Sequence, residues 1–166
     1  MNLKTERMAG AGSAFLSGFY INYLHGVELI CKKYVGKDTR VLELGSFNGI
    51  STELFSKHSN FVTAVDVTLR DELREVVERC GVGFHQADSI AFLESLERGK
   101  YDLIYIDTTH DWRTKREIEE ARVKVSDGGY VCGHDYLSEG VHKAILEVFP
   151  FPEIEIYLDS SWLIKV

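Results

Sequence analysis

Cysteine, proline and positive charge are all scarce in this sequence. Its three cysteines, Cys31, Cys80 and Cys132, form no Cys-x-x-Cys pair, and such an odd, scattered set is not a disulfide framework. The 19 Lys and Arg residues are outnumbered by 26 Asp and Glu, which argues against nucleic acid or an anionic membrane surface as the main partner. The sequence shows no signal peptide and no run approaching about 18 apolar residues. We therefore expect a cytoplasmic protein with reduced thiols.

The length of the chain favours one domain. At roughly 150 residues per domain, 166 residues leave little room for a separate recognition domain. Hydrophobic residues make up 45% of the sequence, which suffices for an ordinary core without disulfides. We expect a helical N-terminal segment over residues 1–35 that packs on or caps a main domain over residues 36–166.

Two periodicities predict the secondary structure. Apolar residues recur every three to four positions over residues 13–34, which predicts one long amphipathic helix. Short, largely apolar segments predict strands at residues 41–44, 61–65, 101–106 and 130–133, and a further short strand is predicted at residues 82–85. Helical patterns follow at about residues 51–57, 71–80, 89–98, 113–125 and 139–149, and residues 154–158 and 162–166 predict a closing hairpin. This order predicts an α/β fold: a doubly wound, mostly parallel seven-stranded sheet with helices on both faces and an antiparallel pair at one edge.

A glycine turn follows the first predicted strand. Gly45 and Gly49 are four residues apart at the sheet edge where ligands bind in open α/β folds. A dinucleotide-binding turn needs a glycine where Phe47 stands, so that the backbone can approach a pyrophosphate, and the Gly-Lys-Ser/Thr of a phosphate loop is absent. The turn therefore favours a ligand without phosphates at this point, or it is only a tight connection.

Acidic residues follow the next two strands. Asp66 ends the second strand, 17 residues after Gly49. Its carboxylate can accept hydrogen bonds from both hydroxyls of a ribose, or it can cap a helix. Asp88 and Ser89 precede a short helix, where an N-cap role explains Asp88 best without excluding contact with an adenine.

Five segments of the sequence, taken in order, resemble a known enzyme family. They are residues 41–52, 61–66, 86–89, 102–112 and 127–149. Within them, Gly-Ser-Phe-Asn-Gly-Ile-Ser-Thr, Ile-Asp-Thr-Thr-His and Gly-Gly-Tyr-Val-Cys-Gly-His-Asp-Tyr correspond to recurring motifs. Together they resemble class I S-adenosylmethionine-dependent methyltransferases, in particular the small family of cephalosporin-hydroxylase and macrocin O-methyltransferase relatives. The resemblance covers residues 36–166 and implies that they form an S-adenosylmethionine-binding methyltransferase domain.

The resemblance also implies where the cofactor binds. Asp66 would hold the ribose, and Asp88 with Ser89 would border the adenine. Five residues would surround the methionine end: Glu43, Gly45, Ser46, Phe47 and Gly49.

A second group carries the expected catalytic chemistry. In metal-dependent relatives, acids after the fourth and fifth strands hold a divalent ion such as Mg²⁺, and Asp107, His134 and Asp135 occupy those positions here. Mg²⁺ prefers oxygen ligands, so His134 suits a transition metal better, or it is structural. Thr109 stands where relatives carry an acidic general base. His110 is the expected substitute, because an imidazole can remove a proton from a hydroxyl near neutral pH, although it can instead hold the loop. Asp107 and His110 are thus the candidate catalytic residues.

These expectations favour one function and leave two alternatives. The favoured function is transfer of a methyl group from S-adenosylmethionine to a small-molecule acceptor, at a hydroxyl oxygen such as that of a sugar. One alternative is a non-catalytic module that binds the cofactor or assembles with a partner. The other is an oxidoreductase with a nucleotide cofactor, which Phe47 disfavours.

The leading helix suggests a homodimer. Its apolar positions would either cover the cofactor mouth, join a second subunit or pack on their own domain, because an exposed stripe of that size is unusual on a monomer. They are Phe15, Phe19, Tyr20, Tyr23 and Val27.

Overall fold

The computed structural model describes residues 24–166 and the backbone of residues 15–16 and 19–20. Its strands are β1 (Phe15–Leu16), β2 (Phe19–Tyr20), β3 (Arg40–Leu44), β4 (Phe61–Asp66), β5 (Gly83–Gln86), β6 (Tyr101–Ile106), β7 (Val125–Gly133), β8 (Ile154–Ile156) and β9 (Trp162–Lys165). Its helices are α1 (His25–Tyr34), α2 (Ile50–His58), α3 (Asp71–Cys80), α4 (Ser89–Ser95), α5 (Trp112–Lys124) and α6 (Glu139–Val148).

Seven of the strands form one sheet, in the order β5-β4-β3-β6-β7-β9-β8. The first five are parallel, whereas β9 runs antiparallel to β7 and β8. The strand order reverses between β3 and β6, so the crevice for a ligand opens beyond the carboxyl ends of these two strands. The predicted fold class is confirmed.

Helices cover both faces of the sheet. Leu42 of β3 belongs to one core cluster with Ile118 of α5, while its neighbour Val41 belongs to another with Ile30 of α1 and Phe55 of α2. Successive side chains of a strand point to opposite faces, so β3 is buried on both sides. This explains why Val41, Leu42 and Leu44, three of its five residues, are apolar.

The predicted helix over residues 13–34 is wrong in its first half. Strands β1 and β2 pair antiparallel, with Phe15 opposite Tyr20, and α1 begins only at His25. Aromatic residues also favour strands, so their three-to-four spacing did not distinguish the two structures. Tyr23 lies outside the described residues, and Val27 is buried in the core of its own domain. The homodimer stays a prediction, without the helical stripe that suggested it.

Helix α1 is anchored to the turn between β8 and β9. The N–H of Gly26 donates a hydrogen bond of 2.6 Å to the buried carboxylate of Asp159 in that turn. The same carboxylate accepts a hydrogen bond of 3.0 Å from the N–H of Ser161.

Among the helices of residues 24–166, none is long and apolar enough to cross a membrane.

Candidate active site

A close approach between two strand ends fixes the turn after β3. Gly45 has a φ of +85°, and a Cβ there would lie 2.1 Å from the carbonyl oxygen of Asp107, just beyond β6. Any side chain would push the two strand ends apart, so the position requires glycine. Gly49 lies immediately before α2 and closes the turn. The predicted glycine turn is therefore a fixed element at the crevice.

Glu43 lies beneath this turn, fully buried. Its carboxylate accepts hydrogen bonds from the hydroxyls of Ser51 and Thr52 in the first turn of α2. Burial raises the pKa of Glu43 to about 7. Ser46 is also buried, whereas Phe47 is 59% exposed. Glu43 thus holds the turn against α2. Because it is fully buried, its predicted role at the cofactor would be indirect, through the position of the turn.

Asp66 and Phe47 join the ends of β4 and β3. The carboxylate of Asp66 accepts hydrogen bonds from the N–H groups of Phe47 (2.8 Å) and Thr68 (3.0 Å). These bonds use one lone pair on each oxygen and leave a second. Asp66 is half-buried, so the remaining lone pairs can accept bonds from two neighbouring ligand hydroxyls. This geometry fits the predicted ribose role.

Asp88 and Ser89 are tied to helix α5. Asp88 caps α4 by accepting two hydrogen bonds of 3.1 Å from backbone N–H groups of its first turn, which confirms the N-cap interpretation. Its other carboxylate oxygen pairs with Arg113. Ser89 donates a hydrogen bond to Glu117 of α5.

Glu117 is a buried residue that sequence reasoning missed. Its second carboxylate oxygen accepts a hydrogen bond of 2.5 Å from Thr108, and burial raises its pKa. It therefore links the first residue of α4 to the loop after β6. The only signal for it is spacing, because Glu117 lies four residues before Ala121, on the same helix face, in an otherwise highly charged segment.

The four residues predicted for catalysis and metal binding meet beyond β6 and β7. Oδ2 of Asp135 lies 2.9 Å from Nε2 of His110 and 3.2 Å from Nδ1 of His134. One ligand atom from each of Asp107, His134 and Asp135 lies within 4.8 Å of the other two. The structure thus brings both predicted groups to the same edge of the sheet.

Burial and pairing shift the pKa values of this cluster. Burial raises the pKa of Asp107 to about 6. The hydrogen bond from His134 lowers the pKa of Asp135. Burial alone would lower the pKa of His134, but its contact with Asp135 and the charge of Asp107 raise it above its ordinary value. The pair therefore favours a protonated imidazole beside an ionised carboxylate, and a metal ion would have to displace that proton to be bound by His134.

Three features shape the loops of the cluster and hold them in place. Asp135 has a φ of +58°, a conformation that costs energy for a residue other than glycine. A Cβ at Gly140 would lie 2.3 Å from the carbonyl oxygen of His110, so α6 packs on this loop only because the position is glycine. Trp162 of β9 donates a hydrogen bond of 3.1 Å to the carbonyl oxygen of His134. These contacts fix His110 relative to Asp135.

Space for a ligand lies outside the cluster rather than within it. A cavity of about 10 Å³ adjoins Asp107, His110 and His134, which is room for about one water molecule. A groove of about 640 Å³ runs between α4 and α5, bordered by Asp88 and by Trp112, which is 74% exposed.

The donor set of the cluster fits a divalent transition-metal ion. Asp107 and Asp135 offer carboxylate oxygens, and His134 offers an imidazole nitrogen. Nε2 of His134 is buried and finds no hydrogen-bond partner among the described residues. A mixed oxygen and nitrogen set suits Mn²⁺, Fe²⁺ or Zn²⁺ better than Mg²⁺, which prefers oxygen alone.

Solved structures share this fold at low sequence identity. An rRNA methylase from Streptococcus thermophilus is 14% identical with a TM-score of 0.67, over 89% of this chain and 96% of that chain. The SMU.1697c protein from Streptococcus mutans, solved in complex with SAH, is 13% identical with a TM-score of 0.67, over 89% of this chain and 100% of that chain. The YcgJ protein from Bacillus subtilis is 19% identical with a TM-score of 0.57, over 66% of this chain; the chain spans about half, 49%, of its length.

A search of curated protein sequences finds no match. A family model, in contrast, assigns the chain to a family. The family model described as a methyltransferase domain matches residues 42–136, more than half of the 166 residues. The match runs from β3 to the loop after β7 and so includes the glycine turn, Asp66, Asp107 and the His134-Asp135 pair. The chain therefore belongs to the methyltransferase-domain family and has the fold of the class I S-adenosylmethionine-dependent enzymes.

Proposed function

We propose that this methyltransferase transfers a methyl group from S-adenosylmethionine to a hydroxyl oxygen of a small-molecule acceptor. The contact of 2.9 Å between His110 and Asp135, at the same sheet edge as the glycine turn, is the observation that supports this most. An imidazole oriented by a carboxylate is suited to removing a proton from a hydroxyl. The motifs shared with cephalosporin-hydroxylase and macrocin O-methyltransferase relatives favour the same chemistry, with a sugar as one acceptor class.

The residues around the crevice would together contact each part of the cofactor. When bound, S-adenosylmethionine supplies a methyl group already activated by its sulfonium. Asp66 would accept hydrogen bonds from the ribose hydroxyls, and Asp88 with Ser89 would border the adenine. The turn of Gly45, Ser46, Phe47 and Gly49, supported from below by Glu43, would border the methionine end.

His110 would act as the general base. Its side chain is 44% exposed, so an acceptor can reach it. Because Nε2 faces Asp135, Nδ1 is the nitrogen available to take the proton of the acceptor hydroxyl. Asp135 would orient the ring and stabilise the imidazolium that forms.

Asp107, His134 and Asp135 would hold a divalent transition-metal ion if one is used. Such an ion would lower the pKa of the acceptor hydroxyl and orient it. Without an ion, the two carboxylates would orient the acceptor directly. The net charge of −7 favours a small acceptor over RNA, although one protein of the same fold is an rRNA methylase.

Calorimetry with S-adenosylhomocysteine tests the cofactor assignment. Asp66→Ala should weaken binding by about 2–3 kcal/mol, as expected for loss of a charged hydrogen-bond acceptor. Asp71→Ala is the matched control, because Asp71 is an exposed acid in the first turn of α3. Equal affinity for the wild type and Asp66→Ala would refute the ribose assignment.

Turnover with a panel of hydroxyl-bearing acceptors tests the catalytic assignment. His110→Gln should lower kcat by about 100-fold or more and leave the affinity for S-adenosylhomocysteine unchanged. Full activity of this variant would eliminate His110 as the base. Binding of S-adenosylhomocysteine without turnover on any acceptor would favour the non-catalytic module.

Chelation tests the metal. Activity that disappears on exhaustive chelation and returns with Mn²⁺ or Zn²⁺ would support the ion, whereas full activity after chelation would leave the metal-free version. Unchanged turnover in both Asp107→Ala and Asp135→Ala would contradict both versions.

A further inference from the structure

Phe47 adopts an unfavourable backbone conformation for its residue type. Its φ of +46° lies in the left-handed region, which aromatic residues rarely occupy. The side chain is 59% exposed, so it contributes little to the core. A residue that costs backbone energy and packs little in the fold points to a role for its ring in binding.

Among the described residues, the ring of Phe47 contacts one charged side chain. The guanidinium carbon of Arg70 lies 4.5 Å from the ring centroid, a cation–π contact. Arg70 is exposed and lies immediately before α3, in the loop after β4. The Phe47–Arg70 pair therefore bridges the loops after β3 and β4 on the solvent side of the crevice.

The backbone of Phe47 also orients Asp66. Its N–H donates the hydrogen bond of 2.8 Å to Oδ2 of Asp66, so the residue that presents the ring also positions this carboxylate. Displacement of Phe47 would therefore move its ring and would also change the direction in which the free lone pairs of Asp66 point.

We infer that the Phe47–Arg70 pair is a positioning device for the nucleoside part of the cofactor. This inference rests on the proposed ribose role of Asp66. The backbone of Phe47 borders the methionine end with the rest of the turn, and its ring covers the adjoining ribose edge of the crevice and limits access of water to the Asp66 hydrogen bonds. Arg70 acts through the ring, which it holds in place, and Phe47 acts through its ring and its N–H. The pair thereby strengthens binding of an adenine nucleoside that carries no phosphate at this edge.

Paired measurements of stability and affinity separate this role from a structural one. Phe47→Gly relieves the left-handed strain, so its melting temperature should equal or exceed that of the wild type. Its Kd for S-adenosylhomocysteine should nevertheless rise about tenfold, since the apolar cover is lost. Phe47→Asn tolerates the same backbone without a ring and should show the same loss, while Phe47→Tyr should bind like the wild type.

Arg70 is tested in the same assay. Arg70→Gln should raise the Kd by about two- to fivefold, the size of an exposed cation–π contact. The double variant Phe47→Gly, Arg70→Gln should bind no more weakly than Phe47→Gly, because Arg70 acts through the ring. Arg74→Gln is the control, since Arg74 is an exposed arginine of α3 paired with Asp71.

The outcomes distinguish the inference from the function on which it rests. If Asp66→Ala weakens binding but Phe47→Gly and Phe47→Asn do not, the pair has no positioning role and the ribose assignment stands. If Asp66→Ala leaves binding unchanged, both are overturned. A parallel loss of melting temperature and affinity in Phe47→Gly would indicate a structural role alone and refute the inference.

Discussion

Replacing Glu43 with glutamine should remove one component of the pH dependence of stability. The carboxyl is fully buried, and burial raises its pKa from 4.5 to about 7. Between these values the folded chain binds the proton more tightly than the unfolded chain does. The stability contributed by the protonated carboxyl is therefore complete below pH 4.5 and is lost as the pH rises through 7.

The size of this component follows from the two pKa values. Each pKa unit corresponds to about 1.36 kcal/mol. The pKa of Glu43 is about 2.5 units higher in the folded chain than in the unfolded chain. As the pH rises from 4.5 to about 7, the free energy of unfolding should therefore fall by about 3 kcal/mol. Glutamine keeps the shape and the hydrogen bonds, because its amide can accept from one hydroxyl of Ser51 and Thr52 and donate to the other. Glu43→Gln should therefore lose this pH dependence without leaving a cavity.

Urea unfolding between pH 4.5 and 8 measures the difference. Asp107, whose pKa is also raised, titrates in both proteins, so subtraction leaves the Glu43 component together with its charge coupling to Asp107. Glu155→Gln is the control, because the pKa of Glu155 is lowered to about 2 through its bonds with Lys33 and Tyr34. Its stabilising contribution is lost only as the pH falls below 4.5. Curves that run parallel for the wild type and Glu43→Gln from pH 4.5 to 8 would refute the reasoning.

Three further substitutions test the packing around the crevice. Gly45→Ala would place a methyl group 2.1 Å from a backbone oxygen, at a residue with a positive φ. The free energy of unfolding, measured in urea, should fall by about 3 kcal/mol or more. A fall of less than about 1 kcal/mol would contradict the close approach. Gly140→Ala should displace the His110 backbone, 2.3 Å from the added carbon, and lower kcat by up to about 100-fold, so full turnover would show that the loop adapts. Asp159→Ala removes the acceptor for the first turn of α1 and should cost about 1–2 kcal/mol by calorimetric unfolding; an unchanged melting temperature would argue against this anchor.

The sequence predicted the sheet well where the strands are short apolar runs. It could not predict that β7 begins at Val125 rather than Tyr130, because residues 126–129 are polar or glycine and their pairing with β6 includes a register shift. The predicted helix over residues 13–34 was wrong in its first half for a related reason. The aromatic residues there have helical spacing, but they pair as strands β1 and β2.

The position of the candidate site was predictable, but its supports were not. Polar residues at the ends of parallel strands must share one edge, and Asp66, Asp107 and His134 do. The reasons why Gly45 and Gly140 are glycine are contacts with backbone far away in sequence, which no local pattern records. The same holds for the hydrogen bond between Glu117 and Ser89, which are 28 residues apart, and for the Phe47–Arg70 pair.

The order of strands in the sheet also constrains how the chain folds. Val41 of β3 pairs with Leu103 of β6, 62 residues further along, and β8 joins the sheet only through β9, which is synthesised after it. Pairings between distant segments form slowly, typically in milliseconds to seconds. Until β9 docks, β7 presents a free edge, and β8 has no strand to pair with. Refolding at high protein concentration should therefore favour association between chains at the β7 edge, and dilution should suppress it.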